Sequence, residues 1–159
     1  MPGIDPTVLA ELQSYEAAED YENPRYMELL MEHHFVYHIL RMPVEEWPDP
    51  VNRVFKHINA DIYVPMQGPS ELGASGKLLE WDRRADLVKI ETPSLVIGAQ
   101  YDTMDPEHLE WMAGEMQNGR YLHCPNGSHM AFYDDQQLYF EGLIQFVLDV
   151  DGVASRGLS

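Results

Sequence analysis

Two residues of this chain stand where a proton relay could be built. Asp102 follows the apolar run Ser94-Leu95-Val96-Ile97-Gly98, inside the acidic turn that runs from Ala99 to Pro106. His129 closes the turn Pro125-Asn126-Gly127-Ser128-His129 after a second short apolar run. A carboxylate beyond one strand and a histidine beyond the next are two members of a hydrolase triad, in the order acid, then base. The acid would hold the imidazole in one tautomer and stabilise the imidazolium that forms. Asp105 competes for the role, but it stands directly before Pro106 in natural N-cap position, so Asp102 reads as the acid and Asp105 as the cap. An aspartate that only caps the helix and a histidine in an ordinary surface loop would leave the same residues, so spacing alone keeps both readings open. The nucleophile should lie earlier, on a Gly-x-Ser-x-Gly elbow, and no such elbow occurs. Gly73-Ala74-Ser75-Gly76 lacks its spacing, and Ser128 sits beside the histidine; neither reads as the nucleophile. The chain reads as the back half of an enzyme.

The elements that must position this pair are strand, helix, strand, helix. Ser94 to Gly98 is a continuous apolar strand of the kind covered on both faces. Pro106 opens a helix with Leu109, Trp111, Met112 and Met116 on its apolar positions, ending near Asn118-Gly119. Arg120 to Cys124 is a second strand. Asp134 or Asp135 caps a last helix through Leu148, with Leu138, Leu143, Ile144, Phe146 and Val147 facing inward. This is a parallel βαβ unit, and two strands alone leave both edges open, so the pattern asks for more strands than the chain supplies. Upstream the reading is helical: apolar residues from Ile4 to Tyr15 at helical spacing, a helix from Pro24 to Arg41 capped by Asn23, and a short helix over 51–60. A turn-rich stretch runs from Met66 to Gly76. The expected division is a helical cap subdomain over 1–86, a βαβα core portion over 87–150, and a tail over 151–159.

Composition bounds the partners. The chain has 159 residues, 45% hydrophobic and 23% charged, which is globular composition. Its 27 acidic and 10 basic residues give a formal charge of −17, which argues against nucleic acid or an anionic membrane surface; it would favour cationic ligands such as a free amino terminus, although charge alone reads first as a solvated acidic surface. No apolar run approaches the ~20 residues that span a bilayer. The start, Met1-Pro2-Gly3-Ile4-Asp5-Pro6, has neither the basic region nor the apolar core of a signal peptide, which for a fragment says little about the parent protein's destination; the expected location is cytoplasmic. Cys124 is the single cysteine and excludes an internal disulfide. His34 and His38 have i, i+4 metal-ligand spacing but lack a suitably placed third ligand, so no metal and no other cofactor are expected.

Three segments then resemble, in order, the proline iminopeptidases (prolyl aminopeptidases), which are α/β-hydrolase-fold serine peptidases with a helical cap. They are Met66-Gln67-Gly68-Pro69-Ser70-Glu71-Leu72, Gly76-Lys77-Leu78-Leu79-Glu80-Trp81-Asp82, and Pro93-Ser94-Leu95-Val96-Ile97-Gly98-Ala99-Gln100-Tyr101-Asp102. Tyr21 to Tyr26 and Arg41 are similar to the same cap, and Cys124 to Met130 with Asp134 to Gln137 to the family's histidine loop and final helix. The resemblance implies an α/β fold class: the C-terminal part of an α/β-hydrolase, a helical cap followed by the last two parallel strands and their helices. It implies Asp102 as triad acid, His129 as triad base, and Glu71 as the carboxylate that binds the substrate's α-amino group through a charge-assisted hydrogen bond. Other family members carry a second amine-binding glutamate directly after the triad acid, where this chain has Thr103. Phe35, Tyr37 and Trp81 could wall a proline-sized pocket, although core packing is the expected role of each.

The implied function is release of an N-terminal proline, or a similar small residue, from peptides or amides with a free N-terminus. The serine would lie on an N-terminal hydrolase half bearing Gly-x-Ser-x-Gly, so this chain alone is expected to be inactive and to self-associate through its open edge. The same residues would serve an amino-acid amide hydrolase. A catalytically inactive remnant that persists as a binding protein is the reading from another class.

Overall fold

The structure, a computed structural model, describes residues 4–70 and 72–156. The chain divides between Asp82 and Arg83 into two compact units, a few residues before the boundary at 86/87 read from the sequence.

The first unit is helical and, among its described residues, strandless. Helix α1 (Pro6–Ala17) opens with Pro6 behind Asp5, whose side chain accepts from Thr7 N at 2.8 Å. Helix α2 (Pro24–Leu30) opens in the same way, with Asn23 Oδ1 accepting from Arg25 N at 3.0 Å. Side-chain caps of this kind satisfy an N–H that has no partner within the helix. The expected helix to Arg41 does continue, but from Met31 to Ile39 it is a π-helix, closed by Leu40 N on Phe35 O at 3.0 Å. Residues buried at 30, 34 and 35, and 39 and 40 recur at about the i→i+5 spacing of that wider turn. Helix α3 (Asp49–His57) places Phe55 against Phe35, ring centroids 5.3 Å apart, and against Trp47 at 5.6 Å. A further helix, α4 (Ala60–Gln67), occupies a stretch without a helical pattern in its residues, because Pro65 lies inside it.

In the second unit β1 (Ser94–Ala99) and β2 (Gly119–Cys124) pair in parallel, Ser94 opposite Gly119 through Ala99 opposite Cys124. Helix α5 (Pro106–Glu115) makes the crossover and packs on both strands. Its N-cap is Asp105, whose Oδ1 accepts from Glu107 N at 2.9 Å. The last helical stretch is two elements, a single turn α6 (Ala131–Asp134) and the long α7 (Gln136–Arg156), broken at Asp135. Helix α7 therefore continues past Leu148, into the stretch expected to be a tail. It rests on β2 where Gly142 meets Leu122; a Cβ at Gly142 would stand 2.9 Å from Leu122 Cδ1. The small core here is Ala99, Cys124 and Ala131, with Ile97 and Tyr139 packed against it.

The expected inward face of α7 needs correction. Leu138, Leu143 and Phe146 are half-buried, but Ile144 and Val147 are exposed, and with Phe140 and Leu148 they form an apolar stripe. The sheet has two strands among the described residues, so the helix has too little sheet to cover its second face. Among the described residues no helix is long and apolar enough to cross a membrane.

Candidate active site

The carboxyl ends of β1 and β2 are tied together by their own backbone. Gln100 N donates to Cys124 O at 3.0 Å and Tyr101 N to Gly127 O at 3.0 Å, so the acidic turn is fastened to the turn that carries the histidine. Across this junction His129 Nδ1 lies 3.0 Å from Asp102 Oδ1. An ionised carboxylate only accepts, so Nδ1 carries the proton and donates it to Asp102. The same Oδ1 also accepts from Met104 N and Thr103 Oγ1, each at 3.2 Å.

The surroundings of the two groups differ. The Asp102 side chain is 9% exposed and the His129 ring 35%. Burial of Asp102 would raise its pKa, but the hydrogen bond and charge of His129, with the Met104 and Thr103 donors, outweigh it and hold the carboxyl below its ordinary value. Asp102 is therefore a buried anion turned toward an imidazole that reaches solvent, the arrangement a general base requires.

The histidine turn is held from behind. Asp134 Oδ1 accepts from Ser128 N at 3.0 Å, and its Oδ2 accepts a short hydrogen bond from Ser128 Oγ. Asp135 Oδ2 accepts from Asn126 N at 3.1 Å. The two aspartates expected to cap the last helix have their carboxylates on the histidine turn instead. Ser128 is fully buried and its hydroxyl is committed to Asp134, which removes it as a nucleophile. Cys124 is no substitute: burial, and then the carboxylates of Asp135 and Asp134, push its thiol up to about 11, so the reactive thiolate is absent at neutral pH.

In the first unit Glu71 lies outside the described residues; the chain on either side of it is held by backbone hydrogen bonds. Ser75 N and Gly76 N donate to Gln67 O, Lys77 N to Pro65 O, and Leu78 N to Met66 O, which closes the loop at its base. Gly68, at φ 110°, supplies the conformation that turns the chain out of α4. Ser70 is buried and donates to Glu16 Oε1 at 2.9 Å, the oxygen that also accepts from Tyr26 OH at 2.9 Å. Beyond position 71, Leu72 N donates back to Ser70 Oγ at 3.3 Å. A cavity of about 340 Å³ lies beside this network, between Leu9, Gln13 and Glu16 of α1 and the loop residues 72–75.

Of the expected pocket aromatics, Phe35 is core, whereas Tyr37 and Trp81 are 57% and 67% exposed and do not pack into the core. His34 is buried, with its ring 5.2 Å from that of His38. Among the described residues no three His, Cys, Asp or Glu side chains are grouped so as to hold a metal ion. Sequence reasoning missed the supporting groups: Thr103 as a donor to Asp102, Asp134 behind Ser128, and Glu16 behind Ser70. The signal for Asp134 is a carboxylate a few residues beyond the histidine, which in sequence is indistinguishable from a helix cap.

Similarity to known proteins decides the family. A proline iminopeptidase of Elizabethkingia meningoseptica is 52% identical over 150 residues, 93% of this chain and 50% of that protein. One of Chitinophaga pinensis is 44% identical over 153 residues, 96% of this chain and 51% of its own length. This chain belongs to the proline iminopeptidase family and corresponds to its C-terminal portion. The chain spans about half the length of the curated relatives it matches. No protein-family model matches it. Among solved structures, that of VinJ superposes with a TM-score of 0.81 at 24% identity, over 92% of this chain and 49% of VinJ. The proline iminopeptidase of Mycobacterium smegmatis gives 0.71 at 23%, over 95% and 50%. Both are α/β-hydrolases, which gives the fold of this chain as the C-terminal part of that architecture.

Proposed function

We propose that this chain supplies the acid, the base and the amine-binding cap of a serine peptidase that releases N-terminal proline, or a similar small residue, from peptides. The observation that carries this reading is the His129 Nδ1 to Asp102 Oδ1 contact of 3.0 Å at the carboxyl ends of neighbouring parallel strands. In this mechanism a serine on the N-terminal half of the hydrolase fold attacks the scissile carbonyl. His129 takes the serine proton at Nε2 and returns it to the departing amine, while Asp102 keeps Nδ1 protonated and stabilises the imidazolium. The resulting acyl-enzyme is hydrolysed by water activated by the same imidazole. Glu71, by its match to the family's cap glutamate, takes the charged amino terminus of the substrate. With Thr103 where other family members carry a second amine-binding glutamate, amine recognition rests more heavily on Glu71.

The nucleophile and the oxyanion donors belong to the N-terminal half, so the chain alone has no turnover. The exposed stripe Phe140, Ile144, Val147 and Leu148 on α7 is the surface we assign to that half. Two facts favour this occupant: the curated relatives are about twice as long, and the two-stranded sheet is too small to cover α7.

The test is complementation. The chain is mixed with the serine-bearing N-terminal half of the Elizabethkingia relative, and proline 4-nitroanilide is the substrate. Turnover in the mixture, absent from either part and abolished by His129→Ala, is the expected result. No turnover, or turnover unchanged in His129→Ala, overturns the reading. Faster hydrolysis of simple amino-acid amides than of prolyl peptides would make the activity an amidase.

A further inference from the structure

We infer that Asp134 is a positioning residue for the base: through Ser128 it fixes the turn that brings His129 onto Asp102. The inference rests on the reading of His129 as the base, but its test does not depend on turnover.

Both oxygens of Asp134 are used on Ser128, Oδ1 by the backbone N–H and Oδ2 by the hydroxyl, and Ser128 is the residue directly before His129. Two bonds from one carboxylate to one residue fix its orientation as well as its place, and so fix the direction in which the chain enters His129. Ser128 is fully buried, so its N–H and hydroxyl are held by partners within the protein, and loss of the carboxylate removes two of those bonds at once.

The other side of the turn is fixed independently. Gly127 O accepts from Tyr101 N, one residue before Asp102, and Gly127 N donates to Cys124 O at 3.2 Å. A Cβ at Gly127 would stand 2.7 Å from Ala131 Cβ, so the turn lies hard against the start of α6. The histidine turn is thus clamped between the acid's turn in front and Asp134 behind. Asp135, next in the chain, reaches Asn126 N instead and holds the entry to the turn rather than the step into His129.

A merely structural carboxylate would lower stability without changing the Asp102–His129 pair, and NMR of the full chain separates the two cases. The readouts are the low-field Nδ1 proton resonance of His129 and the titration of the Asp102 carboxyl carbon. In Asp134→Ala the resonance should be lost and the Asp102 titration should move up toward the ordinary carboxylate range. Asp134→Asn keeps one acceptor and should recover both in part, and Ser128→Ala should reproduce the partial loss. Leu143→Ala, which loosens α7 in the same unit without touching Ser128, should leave both unchanged.

If Asp134→Ala does not fold, Ser128→Ala and Asp134→Asn carry the test. A folded Asp134→Ala with both signals unchanged overturns the inference, as does equal loss in Leu143→Ala. With the N-terminal half added, Asp134→Ala should lower kcat about 10- to 100-fold and leave KM within about twofold, the signature of a displaced catalytic group rather than lost substrate binding. Failure of complementation would count against the proposed activity and leave the NMR result standing.

Discussion

Thr103 donates its hydroxyl to Asp102 Oδ1 at 3.2 Å, the same oxygen that His129 Nδ1 holds at 3.0 Å. The residue that departs from the family's amine-binding pattern therefore has a place in the candidate site, beside the acid. Thr103→Val keeps the shape and removes the donor. It should raise the Asp102 pKa and cost about 1 kcal/mol, the usual net value of one hydrogen bond, read from urea denaturation. Thr103→Glu would restore an amine-binding carboxylate but set a second anion against Asp102. In a complemented enzyme it should lower KM for substrates with a free amine and lower kcat as well; an unchanged KM would show that a carboxylate at position 103 does not reach the amine.

The depressed pKa of Asp102 fixes the sign of a pH effect. Its folded value lies below the unfolded value near 3.8, so its contribution to stability is complete above that pH and is lost as pH falls through the lower native value. Asp102→Asn removes this contribution. The gap in urea midpoint between wild type and Asp102→Asn should be at its full size by about pH 6 and should close as pH falls below about 4. Asp86 beside Lys89 and Asp149 beside Arg120 are shifted in the same direction, but they lie at the surface, so 0.5 M salt should remove their share and leave that of Asp102.

Glycine substitutions separate the histidine turn from the rest of its unit. At Gly127 a Cβ would meet Ala131 Cβ at 2.7 Å, Cys124 Cβ at 3.1 Å and Asp135 Cβ at 3.2 Å, so Gly127→Ala must move the turn and should cost about 1–3 kcal/mol. At Gly114, inside α5, a Cβ would meet nothing within 4 Å, so Gly114→Ala should stabilise by about 0.5–1 kcal/mol. Thermal unfolding of both variants reads the difference, and equal effects would refute the claim that the turn is tightly packed.

What the sequence made legible was the regular part of each unit. Asn23-Pro24 and Asp105-Pro106 announce helix starts through local chemistry, and Ser94 to Gly98 announces a strand by its unbroken apolar run; all three elements stand in the structure, although the strand expected to be covered on both faces is only half-buried from Ser94 to Ile97. The π-helix from Met31 was hidden because a helix apolar nearly all round has no periodicity to read. Pro65 hid α4 because a proline inside a helix is a standard breaker. Ile144 and Val147 were placed inward from spacing that fits a complete sheet, and only two strands are present to receive them. In the candidate site, Asp102 and His129 could be named from their positions after strands. Glu16 could not, because its partner Ser70 lies 54 residues away and nothing local marks it.

Glu16 also makes a separate prediction for the first unit. Its Oε1 accepts from two buried hydroxyls, Tyr26 OH and Ser70 Oγ. Glu16→Leu would strand both donors and should cost about 2–4 kcal/mol, whereas Tyr26→Phe removes one donor cleanly and should cost about 1 kcal/mol. Because Ser70 also accepts from Leu72 N, Glu16→Leu should loosen the loop around position 71, and hydrogen exchange at Leu72 should rise at least tenfold. Protection unchanged at Leu72 would confine Glu16 to holding α1 and α2.

The exposed stripe of α7 decides between a docking face and an accident of composition. Ile144 is 56% exposed and Leu148 60%, so a charge at either position costs the isolated chain little burial. Ile144→Lys and Leu148→Lys should therefore leave the unfolding midpoint within about 0.5 kcal/mol of wild type. They should lower self-association in sedimentation, because the contiguous apolar patch is broken. If the N-terminal half of the hydrolase sits on this face, the same variants should weaken complementation at least tenfold, since a lysine on a buried interface loses its water without gaining a partner. Complementation at full strength with both lysines present would place the N-terminal half elsewhere, and the open edge of β1 would be the next surface to block.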